Sequence, residues 1–237
     1  MKRRDALFVG GMVAIAAGWQ WFGVRKPEVV FTDIRRAPGW SYASVGGVSG
    51  LSGADFATIG LEPSLEPIAA GDLDTIVHRD HQAGQVPVAV FSDFFCPYCR
   101  GLIGRLASRT ASPSLGITWH ELPLLGRNSV LAAKAAEAAA LQGGYKAFYE
   151  QLIGDGFRPT ARWMGDVAQA AGLDRNQLLQ DMDGPAVADR LEMSARAAST
   201  LGFSGTPGIA IGRKAILGAL EKPDMEAVFE EVGTSLA

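Results

Sequence analysis

A chain of 237 residues, 48% hydrophobic and 20% charged, with 29 Gly and 12 Pro, can build one medium domain with an appendage or two small domains, and its composition excludes a disordered or collagen-like polymer. Two cysteines exclude a disulfide-stapled mini-protein and allow at most one intrachain bridge. The net charge of −3 hides an asymmetry: Lys2, Arg3, Arg4, Arg25 and Lys26 against Asp5 give +4 over residues 1–26 and leave −7 for the remainder, whose acidic body argues against nucleic acid as a partner.

The first predicted element follows Lys2-Arg3-Arg4. Ala6–Val24 is a run of nineteen residues broken by one polar residue, Gln20. At about 1.5 Å per residue such a helix reaches about 28 Å, close to the ~30 Å hydrocarbon core of a bilayer. Trp19, Trp21 and Phe22 suit the aromatic belt of the far interface, and the N-terminal cations hold that end in the cytoplasm, which places the body outside. Residues 1–26 are therefore read as an uncleaved signal anchor, with the membrane crossed by residues 6–24. Two other readings also export the body: a signal peptide cleaved after Ala14-Ile15-Ala16, and a loose twin-arginine signal at Arg3-Arg4.

Residues 27–72 read as a linker and N-terminal extension. From 37 to 72 they are rich in Gly, Ser, Ala and Pro, including Gly46-Gly47-Val48-Ser49-Gly50, and the expectation is a spacer with one short strand near Val29–Phe31. Order begins at Val86. Val86–Ser92 is an apolar, β-branched run suited to a buried strand. A helix is predicted after the cysteines, where Leu102, Ile103 and Leu106 share a face, and a second strand over Ile117–Leu124.

The period then becomes helical. Asn128 is expected to cap a helix over Ser129–Gln142, Tyr145, Phe148, Tyr149, Leu152 and Ile153 trace the stripe of another, and Thr160 caps a third. Asp174 with Gln177 suggests a capping box for a fourth, and Ala186–Leu201 supplies a fifth, closed by Gly202. A hairpin, Ile209–Ile211 with Ala215–Leu217, and a helix near Pro223–Val232 end the chain. The order is β-α-β, a long helical stretch, then β-β-α.

Both cysteines lie in Cys96-Pro97-Tyr98-Cys99, between a buried strand and a helix. Unsatisfied N–H groups and a partial positive charge at a helix N-terminus stabilise an anion there, so Cys96 is placed to be a thiolate. Pro97 suits the first turn, where its missing N–H costs nothing. The helix dipole contributes about 0.3–1 kcal/mol, less than the about 1.4 kcal/mol of one pKa unit. Direct hydrogen bonds from the Tyr98 and Cys99 N–H groups are therefore expected to supply the rest. A zinc site has only His78, His81 and His120 to add, at no recognised spacing, and a purely structural bridge across two residues would restrain the unfolded chain very little.

The segment Phe91-Ser92-Asp93-Phe94-Phe95-Cys96-Pro97-Tyr98-Cys99-Arg100 resembles the active-site segment of DsbA-like thiol:disulfide oxidoreductases. Gly202-Phe203-Ser204-Gly205-Thr206-Pro207 resembles the loop that carries that family's cis-proline. The resemblance covers roughly Pro67 to Ala237. It implies an α/β, thioredoxin-like fold with an inserted helical domain, over residues 73–237, with the insertion about 128–202. It also implies Cys96 as nucleophile, Cys99 as resolving thiol, and Thr206 and Pro207 as substrate-binding residues that pair with an extended peptide. Pro97, Tyr98 and Asp93 would support the site. No cofactor or metal is required.

Departures from the family pattern are visible. Val90 stands where enteric members carry a buried acid. Asp93 either caps the active-site helix or moves a proton. Glu121, at the end of a strand, reads as a solvated charge, and Tyr98 replaces a histidine. Ser204 and Phe203 border the groove, with Phe203 read as core. The expected function is an extracytoplasmic enzyme, periplasmic and tethered to the inner membrane, that oxidises cysteines of exported proteins as a monomer, recharged by a quinone-linked membrane oxidase. Alternatives are a client-specific reductase of the same fold with a thiol reductase partner, and a peptide-binding module whose thiols are incidental.

Overall fold

The computed structural model describes residues 29–50, 66–110, 115–154 and 160–236. The anchor expected over residues 1–26 lies outside them. Among the described residues no helix is long and apolar enough to cross a membrane.

The framework is a six-stranded sheet of β1 (Thr32–Asp33), β2 (Ser41–Ser44), β3 (Val86–Ser92), β4 (Leu115–Glu121), β5 (Gly208–Ile211) and β6 (Lys214–Leu217), in the order β1-β2-β6-β5-β3-β4. The central strand β3 runs parallel to β4 and antiparallel to β5, and β5 and β6 form the predicted hairpin. The helices are α1 (Ala70–Val77), α2 (Pro97–Thr110), α3 (Arg127–Leu141), α4 (Tyr145–Gly154), α5 (Ala161–Ala170), α6 (Arg175–Asp181), α7 (Pro185–Leu201) and α8 (Lys222–Leu236).

Successive side chains of a strand point to opposite faces, so β3 separates two cores. Val88 and Val90 face Leu102 and Leu106 of α2 and Met225 and Val228 of α8. Ala89 and Phe91 face the other way, toward Leu73 and Val77 of α1 and Ala198 and Leu201 of α7. Val90, which stands where enteric members carry an acid, is fully buried core. A third cluster, built on the alanines of α3 with Phe148, Leu152, Met164, Val167 and Leu178, forms inside the helical stretch between β4 and β5. Alanine lets the backbones of α3 and its neighbours approach closely.

Local signals locate several helix ends. The Thr160 side chain accepts from the Trp163 N–H, Asp174 accepts from the Asn176 and Gln177 N–H groups, and α7 stops at Gly202 with φ +84°. Two expectations need correcting. Asn128 lies inside α3, whose N-cap is Gly126, and the Gln177 amide bonds Asp181, so no reciprocal capping box forms.

The largest correction concerns residues 29–50, which are not a spacer. The strand expected near Val29–Phe31 falls at Thr32–Asp33, and β2 joins the sheet parallel to β6, pairing Ser41 with Lys214 and Ser44 with Leu217. Trp40 and Ala37 are buried, and the Trp40 ring stacks on His78 at 5.8 Å. Short strands of polar residues carry little periodicity, and a buried Trp–His stack joins positions thirty-eight apart. α1, absent from the sequence reading, covers Leu73 and Val77 against the same core.

Candidate active site

The site is assembled where β3 ends. β3 delivers Asp93, a turn follows, and α2 opens at Pro97, so Cys96 sits immediately before the first helical residue. The Cys96 N–H bonds the Asp93 carbonyl at 3.0 Å and the Cys99 N–H bonds the Cys96 carbonyl at 3.2 Å, which fixes both cysteines on the first turn. Both are free thiols and both are buried, at 0% and 1% exposure.

Their environments divide them. The Cys96 pKa falls to about 5, chiefly because the Cys99 side chain hydrogen-bonds its sulfur, opposed by burial and helped by the Thr206 and Ser49 side chains and the Cys99 N–H. Of the two amide donors expected from sequence, Cys99 contributes and Tyr98 does not figure. The Ser49 hydroxyl was missed, because it arrives from a segment read as spacer. For Cys99, burial is the largest cause, and the Cys96 side chain acts in the same direction, so its thiol is pushed far up. The pair is thus poised as one thiolate and one thiol at neutral pH.

Opposite the cysteines is the loop before β5. The Thr206–Pro207 peptide is cis. The Cys96 Sγ donates to the Thr206 carbonyl at 3.4 Å. Among the described residues the buried Thr206 hydroxyl has no hydrogen-bond partner. A thiolate accepts far better than a thiol, which is why this hydroxyl lowers the Cys96 pKa. Phe203 is core, edge-on to Phe91 at 5.2 Å between centroids, whereas Tyr98 is exposed.

Asp93 holds the turn together. Its carboxylate accepts from the Phe95 N–H at 2.8 Å, the Leu124 N–H at 2.8 Å, the Leu125 N–H at 3.0 Å and the Ser129 hydroxyl at 2.8 Å. These bonds tie the segment after β3 to the segment after β4, so the side chain caps no turn of α2. Burial raises its pKa, and the four donors oppose that rise.

Glu121 corrects the sequence reading outright. It is buried at 1% exposure and accepts a 2.5 Å hydrogen bond from the Tyr145 hydroxyl, while Oε2 has no partner among the described residues. Burial drives its pKa well above the ordinary range. His120 stacks on Phe91 at 4.4 Å, its Nε2 donates to the Val77 carbonyl and its Nδ1 accepts from Ser194. Among the described residues no group of His, Cys, Asp and Glu could hold a metal ion.

A β-α-β unit with paired cysteines at its first strand-to-helix junction, faced by a cis-proline loop across a helical stretch, is an arrangement shared with known proteins. The DSBA-like thioredoxin domain matches residues 87–230. The chain belongs to the DsbA-like thioredoxin family. Its structure is similar to a thioredoxin-like oxidoreductase from Silicibacter pomeroyi DSS-3, 30% identical, with 68% of this chain and 97% of that one covered at a TM-score of 0.60. Two more distant likenesses show the DsbA-like fold alone. The thiol-disulfide exchange protein alpha-DsbA2 of Wolbachia pipientis is 19% identical, covers 70% of this chain and 99% of its own, and has a TM-score of 0.58. A periplasmic thioredoxin-like protein of Salmonella enterica serovar Typhimurium is 24% identical, covers 70% and 98%, and has a TM-score of 0.56.

The curated relatives are much longer. A Na(+)/H(+) antiporter NhaA of Herminiimonas arsenicoxydans is 27% identical over 172 residues, which is 72% of this chain and 27% of that protein. NhaA 3 of Salinispora tropica is 31% identical over 138 residues, 54% of this chain and 21% of that protein. The chain therefore spans about a quarter of the length of the curated relatives it matches.

Proposed function

We infer that the protein is an extracytoplasmic thiol:disulfide oxidoreductase that oxidises client cysteines. The observation carrying this is the pair of buried thiols at the start of α2 facing the cis Thr206–Pro207 peptide, whose surroundings displace Cys96 down to about 5 and Cys99 far up. A stabilised Cys96 thiolate stabilises the reduced enzyme, and that makes the disulfide an oxidant. At pH 7 a thiol titrating near 5 stabilises its reduced form by roughly 3 kcal/mol, or about 60 mV for the two-electron couple. The same stabilisation of the reduced form opposes the alternative direction, a client-specific reductase.

In the proposed cycle a client thiolate attacks Cys96 Sγ. The Cys96–Cys99 bond breaks, and Cys99 leaves as a thiolate and takes up a proton. A second client thiolate then attacks the client sulfur of the mixed disulfide, forming the client disulfide and releasing the Cys96 thiolate. Thr206 and Pro207 would border the client peptide, Pro97 and Tyr98 would frame the nucleophile, and Asp93 would position the turn.

Export and tethering through residues 6–24 rest on the apolar run and its flanking cations. Clients would then be exported proteins with cysteines, and reoxidation would fall to a quinone-linked membrane oxidase. Equilibration with glutathione tests the assignment. The Cys96–Cys99 couple is expected above about −200 mV, and a value near thioredoxin's, about −270 mV, would overturn the oxidising direction.

A further inference from the structure

The Thr206 backbone opposite Cys96 is already paired by the chain itself. β2 runs on along β6, with the Val45 N–H bonding the Leu217 carbonyl at 2.8 Å and the Ala219 N–H bonding the Gly47 carbonyl at 2.9 Å. The chain then crosses to the proline loop. There the Ser49 N–H donates to the Thr206 carbonyl at 2.8 Å and the Thr206 N–H donates to the Ser49 carbonyl at 2.6 Å, an antiparallel bridge isolated from the main sheet.

Both backbone polar groups of Thr206 therefore bond Ser49, the carbonyl accepting from the Cys96 thiol as well. An extended client peptide using the same two groups cannot bind until Ser49 leaves, because one N–H and one C=O form this closely spaced pair with a single residue at a time. Cys96 has no exposed surface. The glycines of the segment are contacts, not slack. A Cβ on Gly47 would lie 2.5 Å from the Tyr98 ring, and one on Gly50 would lie 2.6 Å from the Ser204 carbonyl oxygen. From the other side, a Cβ on Gly205 would meet the Val48 side chain at 2.5 Å and the Ser49 carbonyl at 2.6 Å.

We propose that residues 47–50 are a built-in pseudosubstrate, holding the groove in the register of a client peptide with Ser49 in the place of the client cysteine. This rests on the oxidoreductase function inferred above and deepens it in two ways. A client must displace the segment to reach Cys96. The segment also describes the client: an extended strand whose cysteine is followed by glycine, because the Ser204 carbonyl is backbone and cannot yield, and preceded two positions earlier by a small residue or by one that turns the exposed Tyr98 ring aside. The Ser49 hydroxyl, which helps to lower the Cys96 pKa, is the group that a client cysteine would replace with a covalent bond.

A trapping experiment tests the register. The double variant Ser49→Cys with Cys99→Ser, fully reduced and given one equivalent of Ellman's disulfide, should release two equivalents of thionitrobenzoate and stay monomeric. The first leaves when one protein thiol is derivatised. The second leaves when the other protein thiolate attacks that protein sulfur, breaking its bond to thionitrobenzoate and forming the bridge between position 49 and Cys96. Release of one equivalent, or a disulfide-linked dimer, would overturn the register.

A second variant tests the cover. Gly50→Val should expel the segment and raise the rate of Cys96 alkylation by iodoacetamide at least tenfold at pH 9, where Cys96 is ionised with or without the Ser49 donor. An unchanged rate would overturn the proposal. Oxidation of a dithiol peptide by both proteins separates the two inferences. Faster alkylation without peptide oxidation by either protein would remove the oxidoreductase function and leave the cover in place, whereas peptide oxidation by both with unchanged alkylation would remove the cover alone.

Discussion

Cys96 and Cys99 are the same residue three positions apart, yet the fold drives them in opposite directions. Cys96 is at the helix tip, where Cys99, Thr206 and Ser49 converge on its sulfur, and Cys99 is one turn deeper, where desolvation dominates. Thiolate absorbance of the reduced protein should therefore show a midpoint near 5 for Cys96, and a midpoint at or above 8 would remove the basis of the proposed chemistry. Thr206→Val should raise that midpoint by about one pH unit, since a hydrogen bond to a charged atom contributes about 1.5 kcal/mol. Glu121 titrates the other way. Its folded pKa lies above its unfolded one, so the folded state holds a proton that the unfolded state has lost, and stability falls as pH rises above about 4.3. Glu121→Gln keeps an acceptor for Tyr145 and removes that loss. Denaturation at pH 4 and pH 8 should show the variant gaining on the parent at the higher pH, and an equal difference at both would contradict a buried neutral carboxyl.

At the scale of elements, β1 and β2 widen the sheet beyond the β5–β6 hairpin and carry the segment that reaches the cysteines. Trp40 locks them, buried between the extension and His78. Trp40→Ala should cost about 3–5 kcal/mol and lower Tm by about 10 °C. A loss below 1 kcal/mol by chemical denaturation would mean that the extension is not part of the cooperative unit. The helices were legible where their ends carry side-chain caps or a left-handed glycine, as at Thr160, Asp174 and Gly202. They were misread where the cap is backbone alone, as at Gly126 with φ +100°.

Across the whole molecule, redox state and stability are linked through the two thiols. Between about pH 5 and 8.5 the folded reduced protein has lost the Cys96 proton that its unfolded chain retains, so its stability relative to the oxidised form should rise by about 1.4 kcal/mol per pH unit. Above about 8.5 the sign reverses, because unfolded Cys99 ionises while folded Cys99 keeps its proton. Paired denaturation curves of the reduced and oxidised protein from pH 5 to 10 isolate this difference, since groups other than the cysteines contribute to both. A flat difference would exclude a stabilised thiolate.

Chain order by itself determined the β-α-β and β-β-α halves around a helical stretch, the pair of cysteines at a strand-to-helix junction, and the proline that answers them. Each is a local pattern: a β-branched run, a helix start, a capped periodic stripe. Tertiary structure alone decided that Glu121 is buried, that Asp93 braces two loops, and that Ser49 lies against Thr206, 157 positions away. A polar residue carries no periodic signal of its burial. A glycine-rich stretch has the same composition whether it swings in water or is pressed against a backbone, and only the surface opposite it distinguishes the two.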